Sequence, residues 1–348
     1  MPEWLLNHLR DGSFRASDDD APVRFHRGLA GYEPTPLIEA PELATEWGLG
    51  RVLLKFERER FGLPAFKFLG VSWAAERLLG EPPYEPGLEL IAATDGNHGR
   101  AVARAARLRG LGATILVPAG TARARIDAIV GEGARVDVVD GSYDDAVRLS
   151  AELADERRLV LSDTSWPGYE QVPGWVIEGY ATIFHEVDEQ AAAPVDVAFV
   201  PIGVGALAAA AGRHLGGQAR LAGLEPVAAA CMLESVRAGR ITEVPGPHGS
   251  IMAGLNAGLP SLVAWPLVSA AFDLFCAAED ELAVDGTRRL AALGLEAGEC
   301  SGGAAGAAAH LLADGAAREA LGADSGSTVL VLLTEGVTDP AAYARIVS

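Results

Sequence analysis

The sequence predicts an α/β protein with two domains and parallel-rich sheets. Short apolar runs alternate with helical patterns from residue 88 to residue 161, and a second alternating series begins at residue 175. A proline-rich segment at 81–87 precedes the first series. Strands that alternate with helices of this length are typical of right-handed βαβ units and a parallel sheet.

The composition is that of a globular protein large enough for two cores. The chain has 348 residues, of which 49% are hydrophobic, so two domains are possible. The formal net charge of −19 argues against nucleic acid or an anionic membrane as the main partner. Apolar runs are too short to span a bilayer, and the first ten residues lack the layout of a signal peptide. Three cysteines without close spacing predict neither a disulfide framework nor a metal site, so the cytoplasm is the expected compartment.

The first 80 residues are expected to contain an N-terminal arm and one strand–helix pair. Residues 1–35 read as the arm, and 32–37 is extended because proline disfavours helix in the residue before it. A short helix at 41–47 starts with proline at its tolerated first position. A strand at 51–56 and a helix at 67–79 follow.

The segment 81–87 is the predicted domain boundary, because its prolines and glycine suit neither helix nor strand. Residues 84–175 would form a small mobile α/β domain, and residues 1–83 together with 176–348 a large domain. The expected elements of the small domain are strands at 88–92, 113–117, 135–139 and 159–161 and helices at 97–108, 122–130 and 143–154. Those of the large domain are helices at 175–187, 204–215, 228–238, 280–293 and 303–312 and strands at 195–201, 220–224 and 328–333.

Lys67 stands out because it lies in an apolar segment, between Phe66 and Phe68. Burial of an ammonium is costly unless it is paired or neutralised, and an imine would remove that cost. A desolvated lysine also suits nucleophilic and Schiff-base chemistry. The alternative is a surface lysine whose stem lies on apolar neighbours, because periodicity does not show which face is buried.

Two glycine-bearing loops follow predicted strands, where ligands bind in parallel α/β folds. One is Asp95-Gly96-Asn97-His98-Gly99, in which polar side chains suit helix capping and glycines allow close backbone approach. The other is Gly203-Val204-Gly205-Ala206-Leu207, which would present N–H groups and a helix dipole to a single phosphate. It lacks the third glycine of the dinucleotide fingerprint and the lysine of a P-loop. An ordinary capped or tight turn remains the alternative for both.

Two strand ends carry further candidates. Asp163 follows the strand at 159–161 and is a candidate acid or base, or a simple turn residue. Thr334 follows the last strand, where a hydroxyl could meet a ring nitrogen. The nearby Thr338 and Asp339 are as readily explained as helix N-caps.

In this order the blocks resemble those of pyridoxal-phosphate enzymes of fold type II, the tryptophan-synthase-β type. The shared order is lysine, asparagine-bearing glycine loop, glycine-rich phosphate turn and a hydroxyl near the C-terminus. Within the family the chain is most similar to the diaminopropionate ammonia-lyases, from about His26 onwards. The matching stretches are 60–67, 93–100, 163–173, 179–182, 203–205, 251–255 and 334–336.

The resemblance implies roles for individual residues. Lys67 would hold pyridoxal 5′-phosphate as a Schiff base, and Asn97 would hydrogen-bond its ring hydroxyl. The 203–207 turn would bind the phosphate, and Thr334 would face the pyridine nitrogen. The cofactor would lie in the cleft between the domains, bound mainly by the large one.

The implied reaction is α,β-elimination, with Lys67, Asp95 and Asp163 at the acid–base positions. The substrate would be 2,3-diaminopropionate or a similar small amino acid, converted through aminoacrylate to pyruvate and ammonia. A β-replacement synthase or a serine/threonine dehydratase-like enzyme is the alternative. A cofactor-binding pseudoenzyme and a nicotinamide-dependent oxidoreductase are disfavoured by the intact acid–base residues and the missing third glycine. The family also implies a homodimer.

The sequence departs from the expected family pattern in two places. Lys55-Phe56-Glu57 stands where Lys-Asp-Glu is expected, and Glu299-Cys300-Ser301-Gly302-Gly303 where Glu-Ser-Gly-Ala is expected. Both are expected to line or support the pocket, so they bear on the substrate rather than on the cofactor.

Overall fold

The computed structural model describes residues 3–17, 19–94 and 96–348 and has an α/β architecture with two sheets. The larger sheet has seven strands in the order β1-β10-β9-β8-β11-β3-β2. Its inner strands run parallel, and the two edge strands β1 and β2 are antiparallel to their neighbours. The seven strands are β1 Glu3–Leu6, β2 Leu37–Glu39, β3 Arg51–Phe56, β8 Val197–Pro201, β9 Arg220–Pro226, β10 Leu274–Ala278 and β11 Thr328–Leu333.

The smaller sheet is wholly parallel and has four strands in the order β6-β5-β4-β7. These strands are β4 Glu89–Ala93, β5 Gly112–Pro118, β6 Arg135–Val139 and β7 Arg158–Val160. The central strands of both sheets are continuous apolar runs, as in β11, because helices cover both faces of a parallel sheet.

Helices connect the parallel strands. The α-helices are α1 Ala21–Gly28, α2 Pro41–Trp47, α3 Phe68–Leu79, α4 Asn97–Leu108, α5 Arg123–Val130, α6 Tyr143–Glu152, α7 Gln171–Gly179, α8 Ala181–Gln190, α9 Ala206–Leu215, α10 Cys231–Ala238, α11 Trp265–Ala271, α12 Asp280–Ala292, α13 Glu299–Ala313, α14 Gly315–Ala320 and α15 Pro340–Val347. Short 3₁₀ turns form at Val227–Ala229 and Ala253–Leu255. None of the helices in the described ranges is long and apolar enough to cross a membrane.

The expected alternation of the first series is confirmed, with ends that shift by one or two residues. The helix expected at 175–187 is instead two helices, α7 and α8, which meet at Tyr180. The Tyr180 N–H lies within hydrogen-bond distance of both the Val176 and Ile177 carbonyls, at 3.3 and 3.2 Å, which marks a tightened turn at this point.

The N-terminal arm expected at 1–35 contains a strand, β1, and a helix, α1, neither of which was predicted. β1 is a short edge strand whose partner is β10, about 270 positions along the chain. Because its partner lies so far along the chain, the four residues of β1 carry no sequence pattern that predicts this pairing. The helix expected at 303–312 begins earlier, at Glu299, so that Gly302 and Gly303 lie inside α13. The elements β2, α11, β10, α14 and α15 were not predicted.

Candidate active site

A cleft of about 760 Å³, counting its open mouth, lies where strands of both sheets end. The carboxyl ends of β4, β8 and β11 open into it through Thr94, Pro201 and Thr334. This is the edge at which parallel α/β folds bind ligands. The lining residues are Phe66, Lys67, Thr94, Gly96, Asn97, His98, Tyr143, Asp163, Pro201, Gly203, Val204, Gly205, Ala206, Leu207, Gly254, Leu255, Asn256, Ala257, Cys300, Thr334 and Glu335.

Lys67 directly precedes α3, and its side chain enters this cleft, 19% exposed. Its ammonium Nζ donates a hydrogen bond of 2.6 Å to Asp163 Oδ2. The same nitrogen lies 5.1 Å from the ring centroid of Phe66 and 6.0 Å from that of Tyr180, close enough for cation–π attraction. Lys67 is therefore a paired lysine in the cleft, not an isolated lysine on the outer surface.

Asp163 follows β7 and is 3% exposed. Burial acts to raise the pKa of Asp163, but the nearby Lys67 ammonium outweighs it and holds that pKa well below its ordinary value. The Tyr143 hydroxyl donates to Oδ1 at 3.5 Å, a long hydrogen bond, and His98 Nδ1 lies 3.7 Å from Oδ2. Asp163 is thus an ionised acid at the centre of a small polar cluster.

Asn97 begins α4 at the end of the loop that follows β4. Thr94 Oγ1 accepts hydrogen bonds from the N–H groups of Gly96 and Gly99, at 2.8 and 3.0 Å, which fixes the start of the helix. The Asn97 amide Nδ2 donates to Glu335 Oε2. Asp95, the third predicted acid–base residue, lies outside the described residues.

The turn after β8 is shaped to receive an anion. Gly205 has φ +98°, and a Cβ there would lie 2.8 Å from Met232 Cε. A Cβ on Gly203 would lie 3.2 Å from the Gly254 carbonyl oxygen. Glycine therefore suits the positive φ at Gly205 and the close backbone approach at Gly203. Helix α9 begins directly after this pair, at Ala206. The first N–H groups of a helix have no acceptor within it and carry partial positive charge. The 203–207 turn therefore fits a phosphate group.

Thr334 follows β11, is 6% exposed and lines the same cleft. Its neighbour Glu335 is 3% exposed and accepts from Asn97 and, at 3.3 Å, from the Cys300 N–H. The sequence analysis assigned no role to Glu335. Its position just after the end of β11 was the feature of the sequence that could have indicated a place in the cleft. The structure thus brings Lys67, Asn97, Asp163, the 203–207 turn and Thr334 into one cleft.

The two departures from the family pattern differ in their position. Lys55 is fully buried and donates to Glu186 Oε2 and the Thr35 carbonyl, each at 2.7 Å. Its neighbour Phe56 packs in the core of the larger sheet. Neither lines the described cleft. In the second segment, Cys300 lines the cleft and Ser301 Oγ donates to the Glu335 carbonyl at 2.8 Å. The 299–303 segment therefore supports the pocket, whereas Lys55 anchors a buried ion-pair network.

Among residues 3–17, 19–94 and 96–348, no three or more His, Cys, Asp or Glu side chains lie together in a way that could hold a metal ion. Among the polar groups of the cleft are the Lys67 amine, the Asp163 carboxylate, the Asn97 amide, the Thr334 hydroxyl and the N-terminus of α9. This set suits an aldehyde-bearing aromatic phosphate: an amine to link it, a turn for its phosphate and neutral groups for its ring.

Comparison with known proteins agrees with this chemistry. Residues 29–335 match the family model described as "Pyridoxal-phosphate dependent enzyme". Diaminopropionate ammonia-lyase of Escherichia coli K12 is 35% identical over 93% of this chain and 89% of its own length. The Salmonella typhimurium enzyme of the same name is 34% identical over 93% and 90%.

Solved structures give the same result. The E. coli diaminopropionate ammonia-lyase in complex with an aminoacrylate-PLP azomethine reaction intermediate superposes with a TM-score of 0.91 and 32% identity, covering 100% of this chain and 97% of that one. Its complex with D-serine superposes equally well, at a TM-score of 0.91 and 31% identity, with coverage of 100% and 97%. Both sheets of the present structure therefore have counterparts in a fold type II enzyme.

Proposed function

The chain belongs to the pyridoxal-phosphate dependent enzyme family, and from this premise we propose that it is an ammonia-lyase acting on 2,3-diaminopropionate or a similar small amino acid. The products would be pyruvate and ammonia. The observation that carries the proposal is the Lys67–Asp163 ion pair, at 2.6 Å, in a cleft that also holds a phosphate-binding turn. The two relatives described above, with 93% of this chain aligned, are diaminopropionate ammonia-lyases.

Residues of the cleft are assigned to the cofactor by their chemistry. Lys67 supplies the amine that forms a Schiff base with pyridoxal phosphate, because its Nζ projects into the cleft. The N–H groups of the 203–207 turn bind the phosphate. Asn97 has one amide N–H bonded to Glu335, which leaves a second for the ring hydroxyl. Thr334 offers a neutral hydroxyl to the pyridine nitrogen.

Bound pyridoxal phosphate supplies an electron sink for the charge left when the Cα proton departs. The chain supplies the acids and bases. Lys67 Nζ is placed to take the Cα proton of an L-substrate, and Asp95 is proposed to take that of a D-substrate. A β-amine leaves poorly unless it is protonated, so an acid is required. Asp163 is the proposed acid. Its Oδ2 lies 2.6 Å from Lys67 Nζ, so a proton on Oδ2 would be within reach of a substrate bound next to Lys67.

A serine/threonine dehydratase-like activity and a β-replacement activity are the alternatives. Each uses the same cofactor and base. Neither is favoured by a particular contact in the cleft. A buried carboxylate next to the base suits a leaving group that needs a proton, which holds for an amine and for a hydroxyl, so the preference for the amine rests on the two relatives. Residues that recognise the second amino group are not assigned.

We also propose that the enzyme is a cytoplasmic homodimer. The dimer is the expectation for the family, and three buried free thiols are compatible with a reducing compartment. Light scattering of the purified protein tests the assembly: twice the chain mass is expected, and the mass of a single chain would contradict the proposal.

The function is tested by steady-state pyruvate release from L- and D-2,3-diaminopropionate and L-serine. Wild type is compared with Asp95→Asn and Asp163→Asn, and with Asp127→Asn as a control at an exposed carboxylate on α5. We expect kcat/KM for diaminopropionate to exceed that for serine. Asp163→Asn should lose roughly 10²–10⁴-fold with diaminopropionate, the usual contribution of an acid.

Two outcomes would reject parts of this assignment. If serine is as good a substrate as diaminopropionate, the substrate assignment is wrong. If Asp95→Asn impairs the two stereoisomers equally, the proposed division between Lys67 and Asp95 is wrong, although the elimination itself would stand.

A further inference from the structure

His98 lies beside the acid–base pair and has no role in the assignment above. It is the second residue of α4 and is 5% exposed. Its Nε2 lies 2.9 Å from the Leu161 carbonyl oxygen. A carbonyl oxygen only accepts hydrogen bonds, so Nε2 must carry a proton. Burial lowers the pKa of His98, and a neutral imidazole with Nε2–H leaves Nδ1 as a bare acceptor.

This bare nitrogen points at the candidate acid. His98 Nδ1 is 3.7 Å from Asp163 Oδ2 and has no hydrogen-bond partner within the described part of the chain. Two acceptors that face each other gain nothing from the contact, and a buried unsatisfied acceptor costs about 1–3 kcal/mol. Oδ2 already accepts a hydrogen bond from Lys67, so His98 Nδ1 is the unsatisfied atom of the two. One proton between them would satisfy Nδ1 and shorten the contact to hydrogen-bond length.

The charged and titratable groups around Asp163 show when that proton can be present. The Tyr143 hydroxyl lies at 3.5 Å. Burial raises the pKa of Tyr169 and of Tyr180, so both stay neutral. Among the described groups, the Lys67 ammonium is the cation bonded to Asp163. Once Lys67 has given up its proton, burial favours the neutral form of Asp163.

We propose that His98 is a positioning residue for the acid: its Nδ1 accepts the hydrogen bond of neutral Asp163 and holds that proton until the β-amine of the substrate is in place. The inference rests on the proposed function, because it concerns an amine leaving group. His98 acts through Asp163 and does not itself need to touch the substrate.

The proton follows a closed path. Lys67 Nζ passes a proton to Asp163 Oδ2, 2.6 Å away, when the amine must be neutral to react. Asp163 shares it with His98 Nδ1 and then gives it to the β-amine. The Cβ–N bond breaks, ammonia leaves with that electron pair, and the former Cα–H pair forms the Cα=Cβ double bond. With an L-substrate, the Cα proton goes to Lys67, which restores the ammonium and the ion pair.

Leaving groups with different proton demands test this role. The β-amine of 2,3-diaminopropionate needs a proton to leave, whereas the chloride of β-chloroalanine leaves as a stable anion without one. In His98→Gln the amide nitrogen can still donate to the Leu161 carbonyl, but the Nδ1 acceptor is lost. In His98→Asn the amide oxygen takes the place of Nδ1. Both variants are assayed as holoenzymes, with bound cofactor measured by absorbance.

We expect His98→Gln to lose about 10- to 100-fold in kcat with diaminopropionate, a part of the 10²–10⁴-fold that acid catalysis contributes. Its kcat with β-chloroalanine should stay within about 3-fold of wild type, since chloride needs no acid. His98→Asn should recover most of the loss. Equal effects on both substrates, or no effect on either, would overturn the inference.

Failure of the two proposals can be told apart. If wild type releases pyruvate from β-chloroalanine but not from diaminopropionate, the proposed function fails and the role of His98 fails with it. If wild type uses both and His98→Gln keeps their ratio, only the role of His98 fails. If His98→Gln does not fold, His98→Ala takes its place as a variant without an acceptor: a ratio of the two activities reduced about 10-fold supports the inference, and a preserved ratio overturns it.

Discussion

At the scale of single residues, the Lys67–Asp163 pair links catalysis to stability. Asp163 is 3% exposed, so its carboxylate depends on the Lys67 ammonium for its charge. Removal of one partner from a buried pair typically costs about 3–5 kcal/mol, because it leaves a charge without compensation. The lysine proposed for catalysis is therefore also a structural counter-ion.

Lys67→Ala should lose both turnover and the absorbance of a borohydride-reducible cofactor linkage. The variant should also be less stable than wild type in urea, by a few kcal/mol. Lys67→Ala combined with Asp163→Asn should regain most of that stability without activity, because the double variant buries no unpaired charge. A reducible chromophore in Lys67→Ala would contradict the assignment of the linkage, and additive losses in the double variant would contradict the dependence of Asp163 on Lys67.

Glu225 gives a pH effect outside the cleft. It is fully buried at the end of β9 and accepts from the N–H groups of Met232 and Leu233, at 2.7 and 2.8 Å. Burial raises the pKa of Glu225 from 4.5 to about 8, although these two donors oppose the shift. The folded chain therefore binds more protons than the unfolded chain between those two values, and its stability falls as pH rises across that window.

Glu225→Gln should remove this loss, because glutamine does not ionise. Each unit of pKa difference is worth about 1.4 kcal/mol, so the effect between pH 5.5 and 8 should reach a few kcal/mol. Urea unfolding of both proteins at the two pH values measures it, and the difference between them cancels histidine titration. An identical pH dependence in variant and wild type would show that Glu225 is ionised in the folded state.

At the scale of elements, glycines set the distance between helices. A Cβ on Gly179 would lie 2.6 Å from the Leu69 carbonyl oxygen and 2.7 Å from Gly70 Cα, so α7 and α3 touch through their backbones. Lys67 is the residue just before α3. Displacement of this helix would therefore move the Lys67 amine, which is proposed to be catalytic.

Gly179→Ala should destabilise the fold by about 1–3 kcal/mol, the usual cost of overpacking, and should weaken cofactor binding. Gly174→Ala in the same helix is the matched control, because a Cβ there meets nothing within 4 Å. The control should be neutral or slightly more stable, since alanine favours helix over glycine. Urea unfolding and fluorescence titration with pyridoxal phosphate measure the two effects. Equal behaviour of the two variants would contradict the close packing of α3 and α7.

Helix α13 shows that the start of a glycine-rich helix is hard to predict from a short stretch of sequence. The helix predicted at 303–312 begins at Glu299 instead, so Gly302 and Gly303 both lie within α13. A Cβ on Gly286 of α12 would lie 1.9 Å from the Gly302 carbonyl oxygen. Glycine at these positions allows α12 and α13 to pack closely against each other. A short stretch of sequence does not show which helix will be the neighbour. Elements with local signals, such as β3 and α4, begin and end where predicted.

At the scale of the whole molecule, the order of the motifs was predictable and their contacts were not. Each of three motifs lies between a strand and the following helix: Lys67, Asn97 and the 203–207 turn. A short stretch of sequence is enough to predict such a position. The contact of Asn97 with Glu335 joins residues 238 positions apart. His98 lies 3.7 Å from Asp163 because the strands that precede them, β4 and β7, are neighbours in the smaller sheet. Only the fold brings these pairs together, so the polar cluster around the acid had no signature in the sequence.

Residues 84–175 are proposed to move as one small domain over the cleft. Arg125 of this segment approaches Thr338 Oγ1 and Glu299 Oε2, at 3.4 and 3.9 Å, on the other side. If the segment moves as a unit, added cofactor and substrate should slow hydrogen exchange at 96–99 and 118–125 and leave the strands β4 and β5 unchanged. Changes spread through the whole four-stranded sheet would contradict motion as a unit.

The ratio of ammonia to pyruvate released from 2,3-diaminopropionate tests the central claim most directly. Elimination of the β-amine followed by hydrolysis of the α-amino group releases two ammonia molecules for each pyruvate, and the enzyme should do this at steady state without any added nucleophile. A β-replacement enzyme would release one ammonia and no pyruvate in the presence of its nucleophile. Absence of pyruvate from diaminopropionate, with a fully loaded cofactor site, would contradict the account.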